Sequence, residues 1–143
     1  ELMKRDLGDI ELFGENLYAI HSIEYKRIES YYYVFAVRCL DKWLSWEEVK
    51  FYAAMFDFPT VPELDIRQVK SLPDDKIERQ IVTWAQQPSV FGSTDTQTGE
   101  YLIGDFSHNV FKYVRKGHVK TGEHWTRNWK RACLVWERQI INE

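Results

Sequence analysis

Leu12 to Arg38 constrains the fold more than any other part of the chain. It reads L-F-G-E-N-L-Y-A-I-H-S-I-E-Y-K-R-I-E-S-Y-Y-Y-V-F-A-V-R. Aromatic and β-branched residues crowd its two ends, Phe13-Gly14-Glu15 and Tyr31-Tyr32-Tyr33-Val34-Phe35-Ala36-Val37, which predicts two strands. A glycine inside a strand marks a bulge or a close approach to the backbone. Gly14 is therefore expected to let a group come near the main chain, with the Glu15 carboxylate fixed beside it. Val34, Phe35 and Val37 make the second strand apolar on both faces, so it belongs in the middle of a sheet. Leu17 to Ile23 is expected to continue that sheet, and Tyr25 to Ser30 to turn into the second strand.

Beyond the core pair, Arg38 to Lys42 is expected to leave the sheet. Ser45-Trp46-Glu47-Glu48 is a capping box that starts a helix, and Val49, Tyr52, Ala53 and Phe56 follow on one face. Val61-Pro62-Glu63-Leu64 is extended, and its prolines put it at an edge. Pro73-Asp74-Asp75 opens a second helix over Lys76 to Gln86, with acidic residues where the helix dipole favours them. A polar loop spans Gln87 to Glu100. Val110 to Val114 is a strand with Lys112 on one face and Phe111 and Tyr113 on the other. The stripe Trp129, Ala132, Cys133, Trp136 and Ile140 predicts a closing helix from Thr126 to Ile141. Glu1 to Asp9 reads as a helix end closed near Gly8, and its start without an initiator Met reads as a cut.

The 143 residues suffice for one domain with a sizeable core, and 44% hydrophobic with 29% charged residues is the balance of a soluble globular protein. No apolar run approaches the length of a membrane span, and Cys39 and Cys133 follow no metal spacing, so a reduced, intracellular, cytoplasmic setting is expected. Charge is unevenly placed: residues 1–107 sum to −8 and residues 108–131 to +6, which points to an anionic ligand at the basic end. Tyr113, Trp125 and Trp129 interleave with those cations, a pattern that suits nucleic acid. The spacings of His108, His118 and His124 make no metal site, so structural or phosphate-contact roles are expected of them.

F-G-E followed by an aromatic strand through Phe35 resembles motifs III and IIIa of the covalent nucleotidyltransferases, and G-E-N-L-Y-A-I-H-S-I-E-Y is similar to the ATP-dependent RNA ligases among them. The resemblance implies that Glu15, next to Gly14, holds the nucleotide ribose and that Phe35 stacks on the purine. Motif IIIa usually continues Phe-Asp, where this chain has Phe35-Ala36. Lys112-Tyr113-Val114-Arg115 resembles motif V, which implies that Lys112 and Arg115 face the nucleotide phosphates as catalytic cations. The following H-V-K-T-x-x-H-W also resembles these ligases. Lys120, Arg127, Lys130 and Arg131 are then expected to contact the RNA backbone. Motif IV, Glu-Gly-x-Val-x-Arg, has no clear counterpart near residue 100, where Glu100 is the available carboxylate; the motif is lost or a segment is missing. Lys4-Arg5-Asp6-Leu7 lacks the glycine of the nucleophile motif Lys-x-Asp-Gly and stands too close to Gly14, so no adenylated lysine is assigned.

The resemblance implies an α+β fold, antiparallel sheets with packed helices, as one partial nucleotidyltransferase domain (ATP-grasp-like) over 1–143. It implies ATP and magnesium as cofactors, RNA ends as partners, and ligation through AMP–enzyme and AMP–RNA intermediates. A catalytically inactive nucleotide- or nucleic-acid-binding relative is the alternative from another class. A capping-enzyme or DNA-ligase relative is a third, disfavoured by the H-S-I-E-Y and H-V-K-T phrases.

Overall fold

The computed structural model describes residues 9–20, 24–63, 73–92, 100–114 and 130–141. In chain order its elements are β1 (Ile10–Asn16), β2 (Ala19–Ile20), β3 (Tyr32–Cys39), β4 (Lys42–Trp43), α1 (Trp46–Met55), α2 (Asp74–Ala85), β5 (Glu100–Gly104), β6 (Val110–Val114), β7 (Lys130–Arg131) and α3 (Val135–Ile141). These strands pair antiparallel, so the described residues form an α+β fold of antiparallel sheets and three helices. The expected helix end at 1–9 lies almost wholly outside them.

β3 is the middle strand of the sheet β1-β3-β4, as its two apolar faces require. Leu12 stands opposite Val37 and Phe13 opposite Ala36, but Gly14 stands opposite Val34. That step leaves Phe35 without a partner. The sheet therefore bulges at Gly14, and the extra residue belongs to β3. The bulge resets the side-chain alternation. Val34 and Val37, three residues apart, both reach the side covered by α1 and bury there with Leu44, Val49 and Ala53. Without the extra residue, one of the two valines would point the other way.

Both halves of the capping box form at α1. The Ser45 hydroxyl accepts from the Glu48 backbone N–H, and the Glu48 carboxylate accepts from the Ser45 N–H at 3.2 Å. Pro59 to Val61 then runs beside β3, where the Val34 N–H donates to Pro59 and the Val61 N–H donates to Val34, both at 2.9 Å. This is the edge segment that the prolines announce; Leu64 lies outside the described residues. α2 begins at Asp74, two residues before the expected start, and ends at Ala85.

Three expectations are corrected. The chain does not leave the sheet after Arg38: it turns at Leu40 and Asp41 and returns as β4, with Arg38 opposite Trp43. The turn depends on Leu40 at φ 50°, a left-handed conformation that leucine does not advertise. Ala19 and Ile20 do not continue the central sheet but pair with Arg131 and Lys130 of β7. The closing helix begins at Val135 rather than Thr126. Lys130 and Arg131 are extended because β2 takes up their backbone groups, and the Glu137 carboxylate fixes the helix start by accepting from the Leu134 N–H at 2.9 Å. Residues 126–129 lie outside the described residues.

Candidate functional site

The face of the central sheet away from α1 carries a run of aromatic rings. Phe13 packs on Trp43 with centroids 5.0 Å apart, Trp43 on Phe106 at 5.1 Å, and Phe106 on Phe35 at 5.9 Å. Arg38 lies over both Phe13 and Trp43, at 5.5 and 5.4 Å, and its guanidinium donates to both oxygens of Glu11. The hydrogen bond to Glu11 raises the Arg38 pKa above its ordinary value. Phe35 follows Val34 on β3, so strand alternation puts it on this face, away from α1. Its side chain is half-buried, and one side of the ring meets Phe106 nearly parallel, at 26°.

Gly14 has a local purpose. A Cβ there would stand 2.7 Å from the Tyr32 ring and closer still to the Tyr33 carbonyl oxygen. The group that comes near the main chain at Gly14, left open by the sequence, is thus the neighbouring strand itself. Glu15 follows on β1 opposite Tyr33 and is exposed. Its charge reaches Tyr32, whose phenol pKa is raised by burial first and by the Glu15 carboxylate second. β1 and β3 therefore bring Glu15 and Phe35 to one stretch of sheet, with Tyr33 across from Glu15 and two residues before Phe35.

The hairpin β5–β6 is pinned to this sheet by its tip. The Asp105 carboxylate accepts from the Ser107 hydroxyl and from the Ser107 N–H at 2.9 Å, and reaches the Trp46 N–H at the start of α1 at 3.4 Å. These donors, the Ser107 hydroxyl foremost, hold the Asp105 carboxyl below its ordinary range. Phe106 follows directly and enters the aromatic run. Sequence reasoning missed Phe106 as the ring against Phe35, and Trp43 and Arg38 as members of the same aromatic run. An aromatic next to an Asp-x-Ser turn is the local signal that singles out Phe106.

The RNA ligase family model matches residues 1–114. The chain belongs to the RNA ligase family. Comparison with curated proteins and with solved structures returns no match. The family match covers β1 through β6, and so contains Gly14, Glu15, Phe35 and Lys112.

In this RNA ligase family chain, Lys112 is exposed on β6 opposite Leu102, two residues beyond the pair Gly104–Val110 that closes the hairpin. Arg115, Lys120 and Arg127 lie outside the described residues, as do His118 and His124. Lys130 is exposed on β7. Arg131 is engaged: its guanidinium donates to the Glu137 carboxylate at 2.7 Å and to the Tyr31 hydroxyl, and its pKa is raised chiefly by Glu137. Tyr31 donates in turn to the Ala132 carbonyl at 2.9 Å. Arg131 thereby ties the C-terminal segment to the loop before β3.

Among the described residues no cluster of three or more His, Cys, Asp or Glu could hold a metal ion, and no helix is long and apolar enough to cross a membrane.

Proposed function

We propose that the chain is one partial nucleotidyltransferase domain of an ATP-dependent RNA ligase, acting on ATP and RNA ends. The observation that carries this reading is the family match over 1–114. The central sheet, with Phe35 and Glu15, and the β5–β6 hairpin, with Lys112, support it with three features a nucleotide requires. The half-buried Phe35 ring offers a stacking face worth about 1–3 kcal/mol per base. Glu15 offers an exposed carboxylate that accepts hydrogen bonds from ribose hydroxyls. Lys112 offers a cation on a strand, which aims charge at a phosphate better than a loop does. Arg115 is proposed beside it. Lys120, Arg127, Lys130 and Arg131 are proposed to meet the RNA backbone. The reaction proceeds by transfer of AMP from ATP to a lysine with loss of pyrophosphate. AMP then passes to an RNA 5′-phosphate. Attack by a 3′-hydroxyl joins the ends, with AMP leaving.

Calorimetric titration tests the site. Phe35→Ala should weaken ATP binding by about 1–3 kcal/mol. Glu15→Ala should weaken ATP more than 2′-deoxyATP, because only ATP offers the 2′-hydroxyl. Unchanged affinities in both variants would return Phe35 to the core and Glu15 to the solvated surface. The 143 residues contain no Lys-x-Asp-Gly, so denatured samples incubated with radiolabelled ATP and magnesium should carry no label. A labelled band would show a nucleophile in an unexpected context. Ligation of 5′-phosphorylated RNA by the gene product that contains this chain separates a ligase from a binding module that kept the pocket and lost the chemistry.

A further inference from the structure

We propose that Phe106 is a built-in occupant of the base site: the tip of the β5–β6 hairpin lays its ring on Phe35, and a purine stacks there only when the tip withdraws. The inference rests on the reading of Phe35 as the base-stacking residue and adds a gate to that site. Phe106 meets Phe35 at 26°, with centroids 5.9 Å apart. The neighbouring pairs are more tilted, 37° for Trp43 with Phe106 and 52° for Phe13 with Trp43. Near-parallel stacking is the geometry a base would adopt, so ring and base compete for one face of Phe35.

The tip is built to dock and to release. Its loop is short, Asp105 to Asn109 between the paired Gly104 and Val110. Gly104 at φ 92° sets the turn, and Asp105 organises the loop internally through Ser107. Towards the rest of the protein the Asp105 carboxylate reaches the Trp46 N–H, at 3.4 Å, a long hydrogen bond. Phe106 adds its ring contacts with Phe35 and Trp43. The internal bonds let the tip keep its shape as it moves, and the weak outer bond lets it go. Docked, the tip keeps the stacking face from water. Any ligand must outcompete a phenyl ring that is always at hand, which lowers apparent affinity by the fraction of molecules with the tip withdrawn.

Removing the competitor should therefore tighten binding. Phe106→Ala and Phe106→Leu are expected to strengthen ATP binding to the 143-residue chain by about two- to tenfold, the equivalent of one aromatic pair. The gain should vanish when Phe35→Ala is also present. In the unaltered protein, nuclear Overhauser contacts between the Phe35 and Phe106 rings should be lost as ATP is added, a readout that needs no variant to fold. Weaker ATP binding by the Phe106 variants would make Phe106 a wall of the site and overturn the proposal. So would unchanged binding, or ring contacts that persist at saturating ATP. If Phe35→Ala also leaves ATP affinity unchanged, the base-stacking reading itself has failed. If Phe35→Ala weakens ATP while the Phe106 variants do not tighten it, the gate alone has failed.

Discussion

Gly14 and Phe35 divide one structural event between two strands. Gly14 lets β1 close on β3 where Tyr32 and the Tyr33 carbonyl crowd in, and Phe35 is the residue that the crowded register leaves over. Gly14→Ala should therefore destabilise the fold by about 1–3 kcal/mol, the cost of overpacking a tight contact. Urea denaturation would register this as a lower midpoint with an unchanged slope. A midpoint equal to that of the parent would show that β1 has room to spare. The glycine was legible in the sequence as an irregularity, because glycine weakens a strand interior and stands there where a bulge or a close contact demands it. Its reason was not legible, since register belongs to a pair of strands and no single strand states it. For the same cause the sequence did not mark Phe35 as the unpaired residue of a bulge. Phe106, 71 positions on, had no local link to Phe35.

Elements were legible where their ends carry local chemistry. Ser45 and Glu48 announce α1 and form the reciprocal hydrogen bonds that the spacing predicts. Ser45→Ala should cost about 0.5–2 kcal/mol, since an orphan N–H at the helix start loses its acceptor. A thermal scan showing no shift in Tm would mean that packing of Val49 and Ala53 alone sets the helix. The closing helix was over-extended because Trp129, Ala132, Cys133, Trp136 and Ile140 keep helical spacing. Pairing of Lys130 and Arg131 with β2, over a hundred residues away in sequence, overrides that spacing. The β5–β6 tip adds a pH dependence. Asp105 has its carboxyl pKa lowered by folding, so its bonds stabilise the docked tip above the ordinary carboxylate range. That contribution is lost as pH falls through the lowered value. Denaturation midpoints followed from neutral to acidic pH should fall less steeply for Asp105→Asn than for the parent. Parallel curves would show that Asp105 plays no part in acid unfolding.

At the scale of the whole molecule the decisive sequence feature is the charge reversal, −8 over residues 1–107 against +6 over 108–131. The structure splits the two described cations at its end. Lys130 is exposed, whereas Arg131 already neutralises Glu137 and bonds Tyr31, so its charge also serves to seat the C-terminal segment. If this end meets RNA, each lost backbone contact releases fewer counterions. Lys130→Gln should then lower RNA affinity and flatten the slope of log affinity against log salt by about 0.7, the single-strand value per contact. Arg131→Gln should flatten the slope less, because its charge is partly spent within the protein, and should lower Tm by unseating Glu137. Lys112→Gln should leave the RNA slope nearly intact and weaken ATP instead, since a strand-mounted cation beside a phosphate is not readily replaced by water. Filter-binding titrations across salt, with ATP calorimetry on the same three variants, separate these outcomes. A slope for Lys130→Gln identical to the parent's would make the basic end a solvated face, and the RNA part of the proposed function would fall while the nucleotide part stood.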